Sequence, residues 1–289
     1  MLTLDENKKQ WMERKANEIR QSIVESLMEA GSGHSAGPLG MADIFTALFF
    51  HILRHDPTNP SWEERDRLVL SNGHIAPVLY ATMAHAGYLP VEELKTLRKF
   101  GSKLQGHPHR EYLPALENSS GPLGSGLSQA VGMCLADRID RGKHSGRQFY
   151  ALMSDGELDE GNSWEGAMLA NKERLQNLTA IVDRNNIQIE GYTEDIMPLE
   201  PLKDKWEAFG WHVQVIDGHN FEAIVNAFGQ AQAEFSKPSV ILANTIPGKG
   251  VSFMERHYEW HGKPPNETQG VEALKELRTL GGKIKSEHE

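Results

Sequence analysis

The sequence predicts an α/β fold, a doubly wound parallel sheet with helices on both faces. Five short runs of continuous apolar and β-branched residues recur along the chain, at 68–70, 149–153, 178–182, 212–216 and 239–243. A segment of helical character follows each of the first four, and strands without polar alternation are those buried on both faces. No internal repeat, low-complexity stretch or long linker interrupts this rhythm. One domain over residues 1–289 is therefore expected, with a charged end that frays from about residue 283.

The elements follow in order. Ala16, Ile19, Ile23 and Leu27 step by three, four and four, which is one face of an amphipathic helix over 7–30, and Gly31 supplies its stop. Pro38 sits where a helix can begin. Residues 41–50 are apolar almost all round, so that helix is buried rather than amphipathic. Leu68-Val69-Leu70 gives the first strand and 76–86 its helix, and a glycine-rich run at 120–126 precedes a helix at 127–139. The strand at 149–153 leads to a helix at 160–174, and that at 178–182 to a helix at 202–209. The strand at 212–216 leads to a helix at 221–235, and 239–243 closes the series. Residues 271–280 read as a short helix stopped by Gly281-Gly282.

Composition excludes several classes. Lys+Arg 30 against Asp+Glu 40 leaves a net charge of −10, the wrong balance for an electrostatic nucleic-acid binder. A single cysteine, Cys134, excludes an internal disulfide framework and a Cys-rich metal site. The longest apolar stretch, 41–53, contains Asp43 and His51 and is too short to span a bilayer. Residues 1–7 show no basic segment leading into an apolar one, so no signal peptide is evident. A soluble, cytoplasmic protein is expected, with neither nucleic acid nor membrane as a partner.

In an open parallel sheet, ligands bind beyond the carboxyl ends of the strands. Asp155 follows the second strand and Asn185 the third, so both leave the same edge although far apart in sequence. A carboxylate, an amide oxygen and a backbone carbonyl are hard oxygen donors of the kind Mg²⁺ prefers beside phosphate. Taken alone, a turn at Asp155-Gly156 and a cap at Asn185 account for these residues at least as well. The run Ser120-Gly121-Pro122-Leu123-Gly124-Ser125-Gly126 permits close backbone approach to an anion at a helix start, yet matches neither the dinucleotide fingerprint nor a P-loop. His34, His74, His107 and His261 each adjoin a glycine, a context suited to acid–base groups converging on one pocket. His219 reads as part of a turn. His51/His55 and His257/His261 share His-x-x-x-His spacing, but neither pair has the glutamate a zinc-protease helix needs.

In combination and in order, these segments resemble the amino-terminal, diphosphate-binding part of transketolase. The likeness is carried by residues 31–40 (Gly-Ser-Gly-His-Ser-Ala-Gly-Pro-Leu-Gly), Ser71-Asn72-Gly73-His74, Gly106-His107-Pro108 and 121–126. It continues through 155–161 (Asp-Gly-Glu-Leu-Asp-Glu-Gly), Asp183-Arg184-Asn185-Asn186-Ile187, 248–255 and Trp260-His261-Gly262-Lys263. The resemblance implies thiamine diphosphate and a divalent cation, Mg²⁺ or Ca²⁺, held by Asp155, Asn185 and the carbonyl of Ile187. It implies that His74, Gly156 and Asn185 contact the diphosphate, that Gly121, Pro122 and Leu123 lie along the cofactor, and that His34, His107 and His261 serve catalysis, His261 also reaching the cofactor. Glu160 is implied close to the cofactor, and Glu160 and Glu165 near a subunit contact. Ser154 departs from the glycine that many family members carry there, and His109 receives no assignment.

The usual transketolase carries three domains in one chain, and this sequence resembles the first. The expected function is that of the N-terminal subunit of a split transketolase, moving a two-carbon ketol unit from a ketose phosphate to an aldose phosphate, as in the pentose phosphate pathway. Its partner would be a second chain with the pyrimidine-binding and C-terminal domains, in an α2β2 heterotetramer. A specialised split enzyme for a branched sugar phosphate is the nearest alternative. Deoxyxylulose-phosphate synthase fits less well, because Gly73-His74-Ile75-Ala76-Pro77 follows the transketolase form. The α subunit of 2-oxo-acid dehydrogenases lacks the set His34, His107 and His261. A noncatalytic homologue would more readily have lost Asp155, Asn185 or a histidine.

Overall fold

The computed structural model describes residues 2–113, 115–142 and 146–279. The frayed end expected from about residue 283, and Leu280 at the close of the last helix, lie outside the described residues. Helix α1 (Glu6–Ala30) starts at Asp5, whose side chain accepts the Lys8 N–H (2.8 Å), and stops at Gly31 in the left-handed region (φ 61°). Helix α2 (Ala36–Gly40) begins two residues ahead of Pro38, and α3 (Ala42–Ala47) runs on into a π turn at Leu48–Ile52. The apolar segment read as one helix over 41–50 is thus buried as expected, but broken at Met41 and wider-wound at its end.

Strand β1 (Arg67–Leu70) is followed by α4 (Ala76–His85) and α5 (Gly126–Arg141), and β2 (Phe149–Ser154) by α6 (Gly161–Lys172). After β3 (Leu178–Arg184) comes a small antiparallel hairpin of β4 (Ile187–Gln188) and β5 (Gly191–Tyr192), then α7 (Thr193–Ile196) and α8 (Leu202–Ala208). Strand β6 (His212–Asp217), α9 (Phe221–Ala233), β7 (Ser239–Asn244) and α10 (Glu267–Thr279) complete the described chain. The sheet order is β1-β2-β3-β7-β6 and every pairing in it is parallel. All five strands read from the sequence are present. The hairpin and α7 were not anticipated, because two-residue strands carry no periodic signal.

Side chains alternate across the sheet with period two. Tyr150 and Leu152 of β2 join a core with Ile19, Phe45, Val78 and Phe228 of α1, α3, α4 and α9. Phe149, Ala151 and Met153 join the opposite core with Leu127, Ala167 and Trp206 of α5, α6 and α8. Both faces are therefore covered, as continuous apolar strands require. Helix α10 lies on α1, where the Asn17 amide donates to the Leu277 carbonyl (2.9 Å).

A buried ionic group ties the first core to the carboxyl edge of the sheet. Arg20 of α1 donates to both oxygens of Asp43 in α3 (3.1 and 2.6 Å), and its Nε donates to the Leu39 carbonyl (3.0 Å). His219, after β6, bonds Asp43 through Nδ1 (2.7 Å) and accepts the Ile246 N–H at Nε2 (2.8 Å). One imidazole thereby links α3 to the loop that leaves β7. His219 is more than a turn residue, since its ring holds that loop in place.

Candidate active site

Pairing sets Ser154 of β2 opposite Asp183 of β3, so Asp155 and Asn185 leave neighbouring strands at one edge. Asp155 is fully buried. Its Oδ1 accepts the Gly156 N–H (2.8 Å), while Oδ2 accepts the Asn186 N–H (2.7 Å) and Arg184 (3.1 Å). A carboxylate oxygen can accept two hydrogen bonds, which leaves Oδ1 with acceptor capacity to spare. Asn185 is oriented from both ends. Its Nδ2 donates to Asp183 (2.8 Å) and its Oδ1 accepts the Ile187 N–H (3.0 Å). Thr245 donates its hydroxyl to the other Asp183 oxygen.

Burial pushes Asp155 up to about 6, with Arg184 pulling the other way. Burial likewise pushes Asp183 up to about 7; the Thr245 hydroxyl opposes it and the neighbouring Asp155 reinforces it. Arg184 also donates to Thr193 (2.8 Å), Glu194 (2.6 Å) and Glu200 (3.1 Å), so its charge is spread over several acidic partners. Two buried carboxylates share this corner with a guanidinium divided among four groups. No cluster of three or more His, Cys, Asp or Glu able to hold a metal occurs among the described residues. A cation here would draw on one carboxylate together with amide and carbonyl oxygens.

Three histidines converge beside this corner. The rings of His34 and His74 are 5.0 Å apart, those of His74 and His261 5.1 Å, and those of His34 and His261 5.4 Å. They come from the loop after α1, the turn after β1 and the loop before α10. The Ser35 hydroxyl donates to the Lys263 carbonyl (2.7 Å), which pins the His34 loop to the His261 loop. His107 is exposed and stands beside Gly121, its ring 4.0 Å from where a Cβ would sit on that glycine.

Burial lowers the basicity of His34, His74 and His261, His74 well below the ordinary range, and partial desolvation with the nearby Arg98 charge lowers that of His107. His34 falls to about 4, chiefly through burial, with the Arg98 charge, and the His261 and His107 rings when they are protonated, adding to the effect. At neutral pH each imidazole is therefore uncharged, with one nitrogen to donate and one to accept.

Of the residues singled out in the sequence, His74, Leu123, Gly156, Asn185, Ile187 and His261 line a single cavity of about 300 Å³. Asp155 is buried next to Gly156, and His34 touches His74 and His261. His107, Gly121 and Pro122 are not among the residues that line the cavity. Glu160 is exposed at the start of α6, its Cβ 2.5 Å from where a Cβ on Gly124 would sit, and Glu165 is exposed one turn on.

Sequence reasoning missed other parts of this site. Gln188, Ile189, Glu190 and Ile196, from the hairpin and α7, close one side of the cavity. Arg98, on a loop at φ 60°, places its guanidinium carbon 2.9 Å from a Cβ position on Gly106 and adds positive charge near His34 and His107. Glu157 was visible inside Asp155-Gly156-Glu157, but spacing does not reveal which acid of the run is buried. Glu157 is 1% exposed, whereas Asp159 and Glu160 face solvent.

Comparison with known proteins adds independent findings. A family model described as transketolase, thiamine diphosphate binding domain, matches residues 12–284. The chain is 46% identical over 270 residues to a 6-deoxy-6-sulfo-D-fructose transketolase subunit of Clostridium sp. (strain MSTE9), covering 93% of this chain and 97% of that one. It is 40% identical over 277 residues to an apulose-4-phosphate transketolase subunit of Phocaeicola vulgatus, covering 96% and 97%. The crystal structure of transketolase from Campylobacter jejuni superposes with a TM-score of 0.87 at 38% identity, covering 94% of this chain and 42% of that one. The chain thus spans nearly the whole length of the two subunits and about two fifths of the solved transketolase.

Proposed function

The chain belongs to the transketolase family through its thiamine diphosphate binding domain, and from that premise we propose that it is the N-terminal subunit of a split transketolase. It would move a two-carbon ketol unit from a ketose phosphate to an aldose phosphate, with the described residues forming one diphosphate-binding domain. The observation that carries this reading is the convergence of His34, His74 and His261, at 5.0–5.4 Å between rings, where His74 and His261 line the same cavity as Gly156 and Asn185. When bound, thiamine diphosphate supplies the electron sink that lets a carbon–carbon bond beside a carbonyl break and form.

The chain's own residues fit both the cofactor and a divalent cation. Asp155 Oδ1 has acceptor capacity free, Asn185 is held with its oxygen fixed, and two buried carboxylates lie where positive charge would relieve them. In this proposal Asp155, Asn185 and the Ile187 carbonyl hold Mg²⁺ or Ca²⁺, ions that take such hard oxygens. His74, Gly156 and Asn185 contact the diphosphate, and Gly121, Pro122, Leu123 and Glu160 lie along the cofactor. Leu123 and Ile187 give the cavity an apolar wall suited to an aromatic ring.

His34, His107 and His261 would hold or move protons at the hydroxyl and carbonyl oxygens of the sugar. Neutral imidazoles can do both, and an anionic ligand brought beside them raises their basicity toward the working range.

The coverage pattern supports a partner. The two relatives matched along 97% of their length are named as transketolase subunits. We therefore place the pyrimidine-binding and C-terminal domains on a second chain, in an α2β2 assembly, with exposed Glu160 and Glu165 available at the contact. The same two relatives are named for a sulfonated and a branched sugar, which favours a specialised donor over a general pentose phosphate role as the second reading. Calorimetric titration of thiamine diphosphate into the chain and its partner with Mg²⁺ tests the cofactor assignment. Saturable, Mg²⁺-dependent binding is expected, and binding indifferent to Mg²⁺ would contradict the cation site.

A further inference from the structure

Glu157 is a buried acid with four hydrogen bonds, all from neutral donors. Its Oε1 accepts the Ser71 hydroxyl and the Gly124 N–H (3.1 Å), and its Oε2 accepts the Ser154 N–H (3.0 Å) and hydroxyl (3.2 Å). The Ser71 oxygen in turn accepts the Gly126 N–H (3.0 Å). One carboxylate thus gathers the end of β1, the end of β2 and two amides of the glycine-rich loop. Burying a carboxyl is costly unless donors meet it, and here every donor comes from the end of β1, the end of β2 or the glycine-rich loop.

The packing explains why the loop can be clasped so closely. A Cβ on Gly126 would stand 2.3 Å from the Ser71 Cβ, and Gly124 runs at φ 80° against Glu160. Only glycine lets the backbone come within reach of both Ser71 and Glu157. Leu123, the residue before the clasped amide, lines the cavity, and so does Glu157 itself.

We infer that Glu157 is a positioning residue, whose carboxylate clamps the Gly121–Gly126 loop to the ends of β1 and β2 and so fixes the loop wall against which the cofactor packs. The inference rests on the thiamine diphosphate reading for its link to cofactor binding, but the clamp itself does not.

The test uses the full chain with its partner, in wild-type form and as Glu157→Gln and Ser71→Ala. Glutamine has the size of glutamate but replaces one acceptor oxygen by a donor NH₂. In either orientation, one of the buried N–H groups of Gly124 and Ser154 loses its acceptor. Amide hydrogen exchange should rise at least about tenfold over residues 121–127 in Glu157→Gln, with β2 and β3 as protected as in wild type. The Kd for thiamine diphosphate with Mg²⁺ should rise about tenfold, equivalent to about 1.4 kcal/mol. Ser71→Ala should release Gly126 while the Ser154 and Gly124 bonds remain, giving a smaller rise; it decides the matter if Glu157→Gln does not fold. Unchanged exchange over 121–127 in a folded variant would overturn the clamp. Raised exchange with an unchanged Kd would overturn its role at the cofactor. Failure of the wild type to bind the cofactor would instead overturn the functional reading, since the exchange measurement still reports the clamp.

Discussion

Asn in place of Asp43 should be among the most damaging single changes away from the cavity. Asp43 is 4% exposed and Arg20 is 0% exposed, so neither group has water to fall back on. Burial by itself raises the carboxyl, but the Arg20 guanidinium and the His219 hydrogen bond overrule it and hold the group at about 2, below the usual 3.8. A folded value below the unfolded one contributes stability above the unfolded value, and that contribution is lost as pH falls from 3.8 toward 2. At neutral pH it amounts to about 2.5 kcal/mol, at 1.36 kcal/mol for each tenfold change in the equilibrium.

Asn adds a mismatch, because both Asp43 oxygens accept from Arg20, so its NH₂ would face a guanidinium donor in either orientation. The guanidinium would keep the Leu39 carbonyl and one of its two bonds to residue 43, but it would lose its carboxylate partner. The expected cost is about 3–5 kcal/mol, the range for breaking a buried pair by removing one partner. For a chain of 289 residues, an unfolding entropy of about 2.1 cal/mol/K per residue makes this a drop of about 5–8 °C in Tm. Urea unfolding followed by the fluorescence of buried Trp206 and Trp211 would measure it. An Asp43→Asn chain within about 1 kcal/mol of wild type would show that the ionic group contributes little and refute the reasoning.

Changes at the histidines and at the cation site have expected outcomes of their own. Titration of the His34 ring by NMR in the ligand-free chain should give a midpoint near 4, and Arg98→Ala should move it upward by removing a positive neighbour. Because the folded value lies below the ordinary 6.5, stability is full above 6.5 and falls as pH drops toward about 4, and His34→Gln should flatten part of that loss. Asp155→Ala should abolish Mg²⁺-dependent retention of thiamine diphosphate, whereas His107→Ala should retain the cofactor and lose turnover. Equal retention by Asp155→Ala and wild type, measured by equilibrium dialysis, would remove Asp155 from the cation site.

The parts of this molecule legible in the sequence are those set by neighbours along the chain. The β2 run Phe149-Tyr150-Ala151-Leu152-Met153 has no polar alternation because both its faces are covered, and that fact is written in the residues themselves. Asp155 and Asn185 could be placed together because a parallel sheet sends successive strand ends to one edge. Glu157, Arg98 and His219 could not be placed in the same way. Glu157 takes its meaning from Ser71, 86 positions away, and His219 from Asp43, 176 positions away. Nothing local distinguishes either from a turn residue. The hairpin that closes the cavity is two residues per strand and is held by Arg184 and Thr193 rather than by any pattern of its own.

In the proposed assembly this chain supplies half of an active site shared with a second chain. The most direct test is ketol transfer measured with thiamine diphosphate and Mg²⁺, for the chain alone and for the chain mixed with a candidate partner carrying the pyrimidine-binding domain. Donors would include xylulose 5-phosphate, 6-deoxy-6-sulfofructose and apulose 4-phosphate, with ribose 5-phosphate and shorter aldose phosphates as acceptors. Transfer by the mixture and by neither chain alone is the predicted result. Full transfer by this chain alone, or no transfer from any donor by a mixture that holds the cofactor, would contradict it.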